Sequence, residues 1–199
     1  MKKKIEFALL GMTFEVPSEC LRTTDYWNKP LENPYINLGR KETASVIKQF
    51  VKSKYPTLPV WASSQTFANG NSVDINVCKE NGDEFDYNDP IYSDISSFCS
   101  MLKGGRYDGM TECYEYAESG KSDNGTRIEF NAKYISCNPK APFGSWADTK
   151  RMLKDMMDGK YVWGPISLEE AIKKAKSYKI TDSTIDKALA SLHQIAVIS

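Results

Sequence analysis

The sequence predicts a two-layer α+β fold. A four-stranded antiparallel sheet is covered by two helices in the order helix–hairpin–helix–hairpin, and a helical C-terminal extension follows. Three observations predict it. Apolar residues recur at helical spacing in Glu42–Tyr55 and again in Pro90–Leu102. Between and after those segments, residues 60–77 and 111–137 alternate apolar and polar with the period of two that half-buried strands require. From Ser145 onward the helical period returns and persists. The chain accordingly divides into an N-terminal hairpin and irregular connector (1–40), an α+β module (41–144) and a helical C-terminal region (145–199).

Taken in order, Ile5, Phe7 and Leu9 alternate, Gly11 punctuates, and Phe14 and Val16 resume the pattern before Pro17, which reads as a hairpin. Residues 17–40 hold Pro17, Pro30, Pro34 and Gly39 among Tyr26, Trp27 and Tyr35, an irregular, aromatic-bearing connector. In the first helix Ile47, Phe50 and Val51 share a face, and Pro56 ends it. Val60–Gln65 and Val73–Val77 form a hairpin about the turn Ala68-Asn69-Gly70-Asn71, where Asn-Gly supplies positive φ angles. Asp89 is a natural N-cap for the second helix, with Pro90 at its first position and the stripe Ile91, Ile95, Phe98, Cys99, Leu102. Gly104-Gly105 is expected to permit a left-handed helix exit. Thr111–Glu118 and Arg127–Cys137 supply the second hairpin. In the tail, Ser145 caps one helix, Ser167-Leu-Glu-Glu170 is a capping box opening another, and a third runs from about Asp182.

The 199 residues carry 26 Lys+Arg and 26 Asp+Glu, so the formal net charge is zero, which argues against a general polyanion binder. The charge is uneven along the chain: residues 61–145 hold 7 basic and 13 acidic side chains, an acidic module between mildly basic flanks. No stretch approaches the roughly 18 apolar residues of a membrane span. The run Phe7–Leu10 is too short for a signal-peptide core, and Glu6 interrupts it, so a cytoplasmic protein without membrane contact is expected.

Cys20, Cys78, Cys99, Cys113 and Cys137 are widely spaced with no Cys-x-x-Cys, and His193 is the only histidine, which argues for reduced thiols and against a metal site. There is no Gly-x-Ser-x-Gly elbow, and Gly104-Gly105 stands at a helix end, where no phosphate cradle forms. The acidic run Asn81–Asp89 lacks the spacing of a calcium loop and reads as a solvated loop with a helix cap. No catalytic residue, cofactor or metal is therefore expected, and the chain reads as a non-enzyme.

Two binding features remain. The last two helices flank the short connection Ser177–Asp182, and Ser183-Thr-Ile-Asp-Lys-Ala-Leu resembles the start of a recognition helix; Lys179, Ser183, Thr184 and Lys187 would face nucleic acid. Asp182 and Asp186 oppose that reading, and an antiparallel helical hairpin lying on the sheet accounts for the same pattern. Aromatic residues are abundant on the acidic module, a composition that suits protein interfaces better than base stacking.

The segment Gly104-Gly-Arg-Tyr-Asp-Gly-Met-Thr-Glu-Cys-Tyr-Glu-Tyr116 resembles the pattern Gly-Gly-x-Phe-Asp-Gly-Met-x-Asp followed by Tyr-x-Tyr of a large polyvalent protein-associated domain, the twenty-ninth class of that series. Tyr107 replaces Phe and Glu112 replaces Asp. Ala44–Pro56, the run Gly70-Asn-Ser-Val-Asp-Ile and Tyr134–Cys137 are similar to further parts of it, so the resemblance spans about residues 40–138. It implies a phage or other mobile genetic element, and a counter-defence role in the host cell. The expected partner is a host defence protein such as a CRISPR or restriction nuclease, inhibited by protein–protein binding in the manner of anti-CRISPR and antirestriction proteins. The resemblance brings no catalytic residue. Residue by residue, the corner from Gly104 has a structural role in turning helix into strand. As a partner-binding surface it would present Arg106, Tyr107, Asp108, Met110, Tyr114 and Tyr116.

Overall fold

The computed structural model describes residues 3–68, 70–108, 113–116, 119–161 and 164–196, with side chains outside 106–108, 113–116 and 193–196. β1 (Lys4–Leu9) and β2 (Met12–Pro17) form the expected N-terminal hairpin, in register from Lys4↔Pro17 to Leu9↔Met12. Leu10 (φ 55°) and Gly11 (φ 73°) make its two-residue turn. The Asp123 carboxylate accepts hydrogen bonds from both turn amides, at 2.9 and 2.8 Å. The connector is not irregular: β3 (Leu21–Thr24) and β4 (Pro30–Leu38) form a second hairpin. Its prolines are tolerated because β4 meets its other neighbour only from Ile36 onward.

α1 (Arg40–Lys54) buries Val46, Ile47, Phe50 and Val51, and β5 (Val60–Phe67) pairs antiparallel with β6 (Gly70–Val77). Phe67 faces Gly70, so the ladder closes one residue earlier than the turn the sequence suggested; Asn69 lies outside the described residues. Asp89 caps α2 (Pro90–Met101) by accepting from the Ile91 amide at 2.9 Å. The Phe98 ring stacks on Phe50, centroids 3.9 Å apart and planes within 4°, and Phe14 lies 5.8 Å away on its own hairpin. That aromatic column ties β2, α1 and α2 into one core, which also takes in Phe7, Leu9, Ile36 and Leu38 from the first forty residues.

The fold is α+β, but the single four-stranded antiparallel sheet is not formed. β7 (Gly105–Asp108) and β8 (Cys113–Tyr116) pair only with each other, and β9 (Gly120–Lys121) follows. The segment expected as one strand, Arg127–Cys137, breaks into β10 (Arg127–Phe130) and β11 (Tyr134–Asn138). The strands form sheets β1-β2, β3-β4-β10-β9, β11-β6-β5 and β7-β8. Both halves of the broken strand lie parallel to distant partners, Ile128 opposite Ile36 and Ile135 opposite Val73. The break is physical. Asn131 donates its amide to Leu38 O and its side-chain nitrogen to Asn37 Oδ1, while Gly104 donates to Ala132 O, so residues 131–132 are held by neighbours other than a continuing ladder.

The Gly104 corner departs from expectation in the same place. α2 ends with Leu102 at φ −88°, and the demand on Gly104 is close approach: a Cβ there would meet Phe130 O at 2.3 Å and Ala132 O at 3.4 Å.

The tail carries α3 (Trp146–Met157), α4 (Leu168–Ser177) and α5 (Asp182–Ala196). Ser145 caps α3, and the Ser167–Glu170 box closes reciprocally at the start of α4. These helices do not lie on the sheet as a hairpin. α3 covers both α4 and α5, and Met152, Leu153, Met156, Ala171, Ala175, Ile180, Ile185 and Ala188 form a second core. α3 supplies, with Met152, Leu153 and Met156, the bulk that the buried Ala171 and Ala175 of α4 and the buried Ile185 and Ala188 of α5 cannot supply to each other.

Candidate functional site

Five of the six residues singled out at the Gly104 corner fall on one short ribbon. Arg106, Tyr107 and Asp108 are in β7, and Tyr114 and Tyr116 are in β8. The register sets Tyr107 opposite Tyr114, Arg106 opposite Glu115, and Gly105 opposite Tyr116. The side chains of 106–108 and 113–116 lie outside the described part, and Met110 lies outside the described residues altogether.

The nucleic-acid candidates gather around the α4–α5 junction. Tyr178–Thr181 is a four-residue connection, with Lys179 at φ 62° and Ile180 buried beneath it. Thr181 Oγ1 lies 3.2 Å from Ser183 Oγ and 2.9 Å from Thr184 Oγ1, so those hydroxyls close the turn. Lys187 turns back onto the chain, its Nζ 5.3 Å from the Trp146 ring centroid, and Lys176 pairs with Asp182 at 2.8 Å. The arrangement has the short turn of a helix-turn-helix, with one of its cations directed inward. The side chain of His193 lies outside the described part.

The acidic run is a fastener between the two cores. Asp86 and Asp89 accept from backbone amides two residues ahead, and Asp83 accepts from Asn81. Lys150 on α3, only 4% exposed, donates to Asn81 O and reaches Asp83 at 3.4 Å; Arg151 stands 3.9 Å from Glu84 and 2.7 Å from Asp148. Asn81, Asp83, Glu84, Lys150 and Arg151 line a cleft of about 620 Å³, where Lys160 also pairs with Asp155. With each of these carboxylates already engaged by a cation, the cleft holds a latch rather than a free acid–base pair.

The thiols were not connected by sequence reasoning. Cys99 on α2 hydrogen-bonds Cys137 on β11. That bond holds the Cys137 thiol below the ordinary range, while it and burial hold Cys99 far above it. Burial pushes Cys20 up to about 11 and Cys78 up to about 12. Sequence spacing could not reveal the Cys99–Cys137 pair, because it depends on which strand lies beside α2.

One exposed feature was missed. At the β3–β4 turn, Tyr26 is 90% and Trp27 74% exposed, their rings edge to face with centroids 5.2 Å apart. Asp25 builds the support beneath them. Its Oδ1 accepts from the amides of Trp27 and Lys29, each at 2.8 Å, its own amide donates to Lys29 O, and Asn28 takes φ 60°. The available signal was Asp-Tyr-Trp-Asn between Thr-Thr and Lys-Pro, an Asx turn followed by an asparagine suited to positive φ; the surrounding prolines hid it.

Comparison with protein-family models, curated proteins and solved structures yields no match to this chain. Among the described residues no helix is long and apolar enough to cross a membrane.

Proposed function

We propose that this chain is a non-enzymatic binding protein that acts by protein–protein contact, with the Tyr26–Trp27 hairpin tip as its anchor. The observation that carries the reading is that adjacent exposure of the two rings on a hydrogen-bonded turn. Tyr and Trp dominate interface hot spots, and burying each gains about 2–3 kcal/mol of apolar transfer. A turn already held by hydrogen bonds from the amides of Asp25, Trp27 and Lys29 loses little further entropy on docking. The resemblance of residues 40–138 supports a host defence nuclease as the partner class, met in the cytoplasm of the host cell. The test is capture from host lysate with tagged protein, with and without nuclease treatment. A stoichiometric protein that survives nuclease and is lost with Tyr26→Ala/Trp27→Ala supports the reading; capture indifferent to both substitutions overturns it.

The α4–α5 turn favours a second reading, contact with nucleic acid through Lys179, Ser183, Thr184 and Lys187. It expects capture that vanishes with nuclease and DNA affinity that falls steeply with salt. Lys179→Ala should then weaken binding on all sequences alike.

A further inference from the structure

The edges of the sheets are managed unequally. At β2, the Gln49 side chain accepts from the Glu15 amide and donates to Glu15 O, each at 2.8 Å, so an amide from α1 stands in for a missing strand. At β11, the Tyr92 hydroxyl donates to Cys137 O at 2.7 Å and the Phe85 amide to Pro139 O at 2.9 Å. β5 has no such cover. It is the outer strand of β11-β6-β5, eight residues long and in unbroken register with β6, without a charge, a proline or a bulge. Among the described residues no hydrogen bond beyond the pairing with β6 reaches the backbone of residues 60–67, and Ser63, Gln65, Thr66 and Phe67 are exposed. Long uncharged edges of this kind recruit a further strand.

What stands beside the edge is charged. A groove of about 510 Å³ has Ala62, Ser63 and Ser64 as one wall and α1 as the other, with Lys41, Lys48 and Lys52 along it. α1 carries five cations and one acid. Lys52 is tied to Leu58 O, but Lys41 and Lys48 have no ion pair or hydrogen bond among the described residues.

We propose that β5 accepts an extended acidic segment of a partner protein as an added strand, its carboxylates read by Lys41 and Lys48. Backbone pairing would supply affinity, and the lysines would select the side chains on the α1 side. Two other occupants fit less well. The groove lining between the lysines is Ala44, Ser45 and the small residues of β5, with no ring for a base to stack on, so a single-stranded nucleic acid would find only its phosphates met. A second copy pairing edge to edge would bring a second lysine row toward the first. The proposal is independent of the hairpin tip.

The test uses isotope-labelled protein and amide chemical-shift mapping with three probes: acetyl-(Glu-Thr)₄-amide, acetyl-(Lys-Thr)₄-amide and an eight-nucleotide oligothymidylate. Expected are shifts in residues 60–67 with the acidic peptide alone, affinity that falls with added salt, and at least tenfold weakening in Lys41→Glu/Lys48→Glu. Tyr26→Ala/Trp27→Ala should bind the peptide unchanged, which separates this surface from the tip. Absence of β5 shifts at millimolar acidic peptide overturns the proposal. So does oligothymidylate binding at the lysines in the peptide's place, or concentration-dependent broadening of β5 without any probe.

Discussion

Gly104→Ala should be the most damaging small substitution in the corner between α2 and β7, for a reason that lies in the backbone. The new Cβ would stand 2.3 Å from Phe130 O, against roughly 3.4 Å for an ordinary contact, so one of the two segments must move by about 1 Å. Neither segment moves freely. The Gly104 amide is bonded to Ala132 O at 2.9 Å, and the segment it would push is fastened by Asn131 to Leu38 O at 2.9 Å and to Asn37 Oδ1 at 2.7 Å. A 1 Å displacement takes the Gly104 bond beyond hydrogen-bonding range, about 1 kcal/mol, and the overpacking adds about 1–3 kcal/mol. The sum, about 2–4 kcal/mol, lowers the melting temperature by roughly 4–16 °C in a chain of this size. Gly125→Ala is the control. Its Cβ meets nothing within 4 Å and its φ is +84°, so it carries backbone strain of about 1 kcal/mol and no clash. Near-ultraviolet circular dichroism melts of both variants decide the matter. A Gly104→Ala protein that melts within about 2 °C of wild type, or no earlier than Gly125→Ala, would refute the close-approach argument.

Three further outcomes follow from the same geometry. Among Cys20, Cys78, Cys99 and Cys137, iodoacetamide at neutral pH should label Cys137 first, since its thiolate is stabilised by Cys99 and the other three are buried and raised; peptide mass spectrometry showing Cys78 labelled as fast would contradict this. Cys78 rises from 9.0 to about 12 and Tyr92 from 10.0 to about 12 on folding. Ionisation above those unfolded values therefore favours the unfolded chain, and stability that is complete below pH 9 is lost as pH climbs toward 12. Cys78→Ala should reduce that alkaline slope by up to about 1.4 kcal/mol per pH unit, which urea titrations from pH 8.5 to 11 would show, and parallel curves would refute. Asp25→Ala removes the acceptor for two tip amides, so the heteronuclear Overhauser enhancement at the Trp27 amide should fall while the melting temperature changes by no more than about 2–4 °C; an unchanged enhancement would mean the carboxylate does not hold the tip.

What was legible in the sequence is what is encoded within a few residues. The Asp89 cap, the Ser167–Glu170 box, the Ile47–Phe50–Val51 face and the Val73–Ile75–Val77 alternation each appear where local chemistry puts them. The partition of residues 127–138 is of another kind. Alternation along one unbroken strand turns Ile128 inward with Phe130, Ala132 and Tyr134 and so turns Ile135 outward; it does not say that Ile135 is buried beside Val73 while Ile128 is buried beside Ile36, 62 and 92 residues away. The Tyr26–Trp27 tip was obscured because β3 has no buried face to impose alternation, all four of its residues being exposed.

β5 shows how such a gap can carry information. Val60–Phe67 has the uncharged composition of a strand with neighbours on both sides, and the single-sheet expectation left its edges unassigned. In the fold, β11 takes the free side of β6, and β5 is left outermost with α1's lysines beside it. A strand composed for the interior of a sheet, standing at its margin next to Lys41 and Lys48, unpaired among the described residues, is a local rule broken without local compensation. The compensation that would restore consistency is a neighbour from another chain, extended and negatively charged.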